Sequence, residues 1–392
     1  MRVSTRIAAI AAMLLTTAVV TAASPAAQAA ISPTGAAHSS ARVCPAAAPG
    51  EASCHALIRT DVTPNASTPS GYFPADLRSA YNLTSSGSST QTIAIVDAFD
   101  DPTAEADLGV YRSQFGLPAC TTANGCFRKV DQNGGTKYPR KNGGWAQEIS
   151  LDLDMVSAIC PNCHILLVEA SSNSFANLTT AENRAATMGA SAISNSWGGS
   201  DSSDSSFGTA FNHPGIAITA STGDSGFGVE YPASSHFVTA VGGTSLTRSS
   251  GGRGWTETAW SGAGSGCSTL NAALTGAASF NTGCAMRAVA DVSAVANPST
   301  GVAVYDSTAF QGLSGWLVFG GTSVAAPIIA AVYGLAGNEA NIDNNFPYTH
   351  ASSLFDVTSG SNGSCSPSQL CTARSGWDGP TGLGTPNGTG AF

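Results

Sequence analysis

Apolar residues recur along this chain in two rhythms. Short unbroken runs, at 92–96, 164–170, 190–196, 215–220 and 237–241, end in polar or glycine-rich turns. Runs of that length, rich in Ile, Val and Leu, predict buried strands. Between them, residues 147–159 and 174–188 repeat their apolar positions at helical spacing. A last pair follows the same plan: 316–319 predicts a strand, two glycines break it, and the small residues of 322–335 predict a helix. Strands alternating with helices imply an α/β fold of three layers, α/β/α, around a mostly parallel central sheet. Residues 71–392 suit one large domain of this kind.

The chain has 392 residues, and its N-terminus reads differently. Arg2 and Arg6 precede an apolar stretch over 7–23, and Ala27-Gln28-Ala29 offers a cleavage site between small residues. Residues 1–29 are therefore expected to be a secretory signal peptide and the protein to be secreted into the extracellular medium. Residues 30–70, rich in Ala, Pro and Ser, read as an extended lead-in with one disulfide. No later run reaches the ~18 apolar residues of a membrane span. Ten cysteines fit an oxidising destination and fall as sequence-adjacent pairs: 44/54, 120/126, 160/163, 267/284 and 365/371. Spacing alone leaves the connectivity open. Cys160-Pro-Asn-Cys163 also has zinc-ligand spacing, but no second such pair accompanies it. Charged residues are 10% of the chain, against ~25% in an average protein, and the net charge is −9. Without a basic stripe, neither nucleic acid nor an anionic membrane is expected as a partner.

The candidate chemistry begins at Phe319-Gly320-Gly321-Thr322-Ser323-Val324-Ala325-Ala326-Pro327. At a strand-to-helix junction, Ser323 falls in the first helical turn, where free N–H groups and the helix dipole favour a developing oxyanion. The plainer reading is a serine that merely caps the helix. A second feature weighs against it. With Glu148 at zero on a helical wheel of ~100° per residue, Asp152 falls at about 40° and Ile159 at about 20°. Both acids thus lie inside the apolar arc, while Ser150, Asp154 and Ser157 take the polar side. Two carboxyls one turn apart, facing a core with no Lys or Arg nearby in sequence, cannot both ionise cheaply. Sharing a proton would make them an acid/base couple.

Glu148-x-x-x-Asp152, Gly223-Asp224-Ser225-Gly226 and Gly321-Thr322-Ser323 together resemble the catalytic blocks of the sedolisins, the serine-carboxyl peptidases with a subtilisin-like fold. Residues 71–83 resemble the start of a mature sedolisin, and the likeness extends to about residue 388. The resemblance implies that Ser323 is the nucleophile, Glu148 its general base, Asp152 the partner of Glu148, and Asp224 an oxyanion-hole donor. An aspartate donates only when protonated, which ties such a site to acid. Ser196, Trp197 and Gly198 would form the strand edge that pairs with an extended substrate. A subtilisin would need a His-Gly-Thr block, and none of the six histidines precedes Gly-Thr. The Gly-Asp-Ser-Gly of residues 223–226 imitates trypsin-like enzymes, but Ala-Ala-His-Cys is missing.

Residues 355–358 and 375–380 resemble the sedolisin calcium site. The likeness implies one structural Ca2+ held by the carboxylates of Asp356 and Asp378 and the carbonyls of Val357, Arg374 and Gly376. The family usually has glycine where Arg374 stands. Many sedolisins also carry a long folded propeptide, where this chain has only residues 30–70. The implied function is a secreted, monomeric endopeptidase acting on protein or peptide chains at acidic pH. The alternatives are tripeptidyl-peptidase action, or a catalytically silent calcium-stabilised binding protein on the same fold.

Overall fold

The computed structural model describes residues 1–2, 38–63, 68–338 and 343–392. The expected signal peptide lies outside them apart from its first two residues. Among the described residues no helix is long and apolar enough to cross a membrane.

The central sheet runs in the order Trp255–Ala259, Thr239–Arg248, Ala217–Ser221, Ala192–Asn195, Thr92–Ala98, His164–Ala170 and Phe127–Asp131. Val292–Val295 pairs beside Thr239–Arg248, and every pairing is parallel except the one with Trp255–Ala259. Ala192–Asn195 and Ala217–Ser221 are buried at every successive residue. Neighbouring side chains point to opposite faces, so both faces of the sheet are covered, as the α/β/α reading expects.

The helix expected over 147–159 spans Gly143–Ile159, its start fixed by Asn142, whose side chain accepts from the N–H groups of Gly144 and Trp145. Its polar side does not reach water. Asp154 accepts from the Tyr305 N–H at 2.9 Å, and Ser157 accepts from Arg112 at 2.8 Å. The strand Val302–Phe310 and the helix Ala104–Gln114 bring those donors, so a side that looked solvent-facing is buried under specific partners. The run 316–319 belongs to Leu313–Gly320, which lies off the parallel sheet in an antiparallel group of four strands with Val302–Phe310, Leu57–Arg59 and Ser40–Arg42.

Two members of that group come from the segment read as a lead-in. Residues 38–63 are built into the body: Ser53–Cys54 pairs with Trp197–Ser200, and Cys54, His55, Ala56 and Ile58 are all buried. The compact body therefore begins upstream of Gly71. Composition hid this, because the hydrogen bonds that order the segment go to strands far away in sequence. All five cysteine pairs are disulfides between sequence neighbours, including Cys160–Cys163.

Candidate active site

Leu313–Gly320 delivers the chain to Gly321, whose φ of 96° favours glycine, and the helix Thr322–Ala336 starts there. The capping position is Gly321, and Ser323 makes no capping bond, which removes the plainer reading of this serine. The Ser323 hydroxyl is buried and donates to the Ser196 carbonyl at 3.1 Å. Asp224 stands beside it. Its Oδ1 accepts from the Thr322 N–H at 2.7 Å and the Thr322 hydroxyl at 2.9 Å, while Oδ2 has no partner. Burial pushes the Asp224 carboxyl up to about 6, although His55 pulls the other way. A Cβ on Gly321 would sit 2.7 Å from that free Oδ2 and 1.9 Å from the His55 carbonyl oxygen. Glycine here is what lets a carbonyl oxygen approach the unpartnered carboxyl oxygen and the Ser323 N–H together.

Glu148 and Asp152, one turn apart on the helix Gly143–Ile159, meet the same place from the other side. Burial, then Asp152 and Asp97, raises the Glu148 carboxyl well above its ordinary range, while Ser323 works in the opposite direction. Neither Glu148 oxygen has a hydrogen-bond partner, because the Ser323 hydroxyl is turned to the Ser196 carbonyl. Asp152 accepts from the Ser196 hydroxyl at 2.8 Å and is likewise raised, mainly by burial. Asp97 completes the group at the end of the strand Thr92–Ala98: fully buried, both oxygens unpartnered, and raised by burial and by Asp152. Among the described residues no salt bridge reaches Asp97, Glu148 or Asp152. Three buried carboxyls without a cation cannot all be charged, so protons are shared among them.

In sequence Asp97 ends the strand at 92–96 where a subtilisin places its aspartate, and open α/β sheets gather their chemistry at the C-terminal strand ends. The edge expected to bind substrate is not free. Trp197–Ser200 pairs with Ser53–Cys54 on one side and with Glu230–Tyr231 on the other, and the Ser196 carbonyl accepts from the His55 N–H at 3.1 Å. The Trp197 ring nitrogen donates to the Val96 carbonyl at 2.8 Å, tying this edge to the strand that carries Asp97. His55 is no general base in this arrangement: Nδ1 meets the Ser221 hydroxyl at 2.7 Å and Nε2 meets Glu230 at 2.9 Å.

The candidate metal residues come together near the C-terminus. Asp378 is buried and accepts from the N–H groups of Arg374 and Thr381 and from the Thr381 hydroxyl. Asp356 accepts from the Gly376 N–H at 2.9 Å, and its charge adds to that on Asp378. Among the described residues no salt bridge neutralises either carboxylate. The Arg374 side chain turns away to the Trp377 carbonyl. Two carboxylates that the same loop brings together without a cationic partner are oxygen donors of the kind a hard divalent ion takes.

Residues 136–352 match the model of the subtilase family. The chain is 29% identical over 363 residues to kumamolisin from Bacillus sp. (strain MN-32), covering 82% of this chain but 63% of that protein. It is 40% identical over 78 residues to tripeptidyl-peptidase sed1 of Aspergillus fumigatus, covering 18% of this chain and 12% of that one. The chain thus spans less than two thirds of the length of either relative. Among solved structures, Pseudomonas sedolisin complexed with two molecules of pseudo-iodotyrostatin has a TM-score of 0.67 at 24% identity, covering 82% of this chain and 96% of that one.

Proposed function

The chain belongs to the subtilase family, and on that premise we propose that it is a sedolisin-type serine-carboxyl peptidase, exported from the cell and cleaving extended protein chains in acid. The observation that carries this reading is Ser323 set between unneutralised buried acids, Glu148 with Asp152 and Asp97 on one side and Asp224 on the other. When the Ser323 hydroxyl turns from Ser196, Glu148 takes its proton as the oxygen attacks the peptide carbonyl. The oxyanion then lies between the Ser323 N–H and the protonated Oδ2 of Asp224. Glu148 returns the proton to the leaving amine, and water releases the acyl group along the same path in reverse. Asp152 and Asp97 hold Glu148 at a proton affinity suited to acid. The test is hydrolysis of a denatured protein across pH by the wild type and by Ser323→Ala. Cleavage in acid that the variant loses supports the proposal, and equal cleavage by both overturns it.

Asp224 and two buried acids outside the site predict that the fold itself favours acid. Burial raises Asp224 to about 6 and Glu182 and Asp306 to about 8. The folded state therefore keeps protons that the unfolded chain releases at about pH 4. Their contribution is fully present below that pH and is lost as pH climbs through about 6 to 8. The melting temperature should fall over this interval. A melting temperature that rises instead contradicts the reading.

Calcium belongs to the proposal as a structural ion held by Asp356 and Asp378 with the carbonyls of Val357, Arg374 and Gly376. An ion that binds only the folded state stabilises it by about 2.7 kcal/mol at a hundred times its Kd. Chelator should lower the melting temperature, and Asp356→Ala or Asp378→Ala should make added calcium ineffective. Identical melting curves with and without chelator would remove the ion and leave the catalytic proposal standing.

A further inference from the structure

Three more acids gather on the side of the helix Gly143–Ile159 that faces away from Glu148. Asp101 lies in the turn after the strand Thr92–Ala98, Asp107 in the first turn of the helix Ala104–Gln114, and Asp306 in the strand Val302–Phe310. All three are buried, with 0%, 3% and 0% of each residue exposed, and a carboxyl oxygen from each lies within 4.8 Å of those from the other two. Ser150 joins them from the helix, through a long contact of 3.4 Å to Asp101 Oδ2.

The chain uses half of each carboxyl. Asp101 Oδ1 accepts from the Thr103 N–H and hydroxyl, both at 3.0 Å. Asp107 Oδ2 accepts from the Ser307 N–H at 2.9 Å and the Ser307 hydroxyl at 3.0 Å, and Asp306 Oδ1 accepts from the Thr308 N–H at 2.7 Å. The N–H groups of Ser307 and Thr308 turn to acids because the pairing of Val302–Phe310 with Leu313–Gly320 shifts register between Asp306 and Phe310. The other half is left over. Asp306 Oδ2 is buried among the other two carboxyls and has no hydrogen-bond partner. Among the described residues no salt bridge reaches any of the three. Lys129 acts on Asp101 and Lys141 on Asp306, but burial and the neighbouring acids outweigh both. An unpartnered buried carboxyl oxygen is costly, and with two further carboxyls beside it a cation is the natural counterpart.

We propose that Asp101, Asp107 and Asp306 bind an octahedral divalent cation of the Mg2+ or Mn2+ class, separate from the calcium assigned to Asp356 and Asp378. Donors that are all oxygen select a hard ion. One oxygen left per carboxyl makes a three-cornered face. That suits an octahedron completed by water or hydroxyl groups better than calcium, which takes six to eight ligands and often grips a carboxylate by both oxygens. Oxygens on such an ion stand about 3–4 Å apart, so each carboxyl moves inward by at most about 1 Å once the ion cancels their repulsion. The ion would tie the turn that follows Asp97 to two elements packed on the catalytic helix, bracing that helix from behind.

The experiment uses the full chain at neutral pH, stripped with chelator and resupplied with excess calcium so that the C-terminal site is filled. Manganese is then titrated, and its free fraction is read by electron paramagnetic resonance. One Mn2+ should bind per chain, Mg2+ should displace it, and bound Mn2+ should raise the melting temperature. Asp306→Asn keeps the shape and an acceptor for the Thr308 N–H, and it should weaken Mn2+ binding at least ~10-fold, as should Asp101→Asn. Without added metal both variants should melt no lower than the wild type, since each removes a buried acid, and this shows that they fold. Asp378→Ala should bind Mn2+ as the wild type does. No Mn2+ bound in the presence of calcium, or equal affinity in the wild type and Asp306→Asn, overturns the site. Binding lost in Asp378→Ala and kept in Asp101→Asn overturns it as well, because the ion then sits at the C-terminal site. Hydrolysis is not among the readouts, so the peptidase reading stands or falls separately.

Discussion

Ser323→Ala should lower kcat by on the order of 10⁴-fold or more while leaving a folded protein. The hydroxyl has a single hydrogen-bond partner, the Ser196 carbonyl, which also accepts from the His55 N–H. Deleting it leaves no buried group wholly unpaired, so the cost in stability is about 1 kcal/mol or less. Glu148→Gln should cost ~10²–10⁴-fold in turnover, because an amide of the same shape cannot carry the serine proton. Its stability should move the other way. Glu148 is a buried acid with two unpartnered oxygens, and glutamine brings an uncharged group that can donate to Asp152. At neutral pH the Gln variant should therefore melt no lower than the wild type, which separates a catalytic role from a structural one. The measurements are steady-state hydrolysis and thermal melting on the same preparations. If either variant keeps more than about a tenth of wild-type turnover, far above the loss such groups cause, the assigned roles fall.

What could be read from sequence here was what lies within one or two turns of chain. The helix carrying Glu148 and Asp152 announced itself because both acids fall inside an apolar arc, and Ser323 because two glycines separate a strand from a helix. The parallel sheet followed from runs too apolar to have a wet face. The rest depended on pairings over long distances. His55 meets Ser221 across 166 residues, and nothing in an Ala- and Pro-rich stretch signals that its backbone will be hydrogen-bonded on both sides. Asp154 and Ser157 looked solvent-facing for the same reason, since their partners arrive from other elements. Asp97 could be seen at a strand end, but its role emerges only where the helix Gly143–Ile159 lays Asp152 against it.

Turnover should fall as pH rises through about 6, where the Asp224 carboxyl loses the proton it donates to the oxyanion. The geometry leaves Oδ2 to carry that proton, because Oδ1 already accepts from the Thr322 N–H and hydroxyl. Once ionised, the carboxylate would face the developing oxyanion with like charge and raise the barrier it formerly lowered. Asp224→Asn keeps both functions: its carbonyl accepts from Thr322 and its amide donates at every pH. In that variant the alkaline limb should shift upward only until the acids Glu148, Asp152 and Asp97 ionise together. Asp224→Ala removes the donor and should raise the barrier by about 2.7–4 kcal/mol, a loss of ~10²–10³ in kcat. It also strands the Thr322 N–H, so its melting temperature should drop as well. The decisive measurement is kcat against pH for the three proteins on one peptide. A wild type most active in alkali, beside an Ala variant that turns over nearly as fast, would show that Asp224 donates nothing to the transition state and that the acid chemistry assigned to this site is wrong.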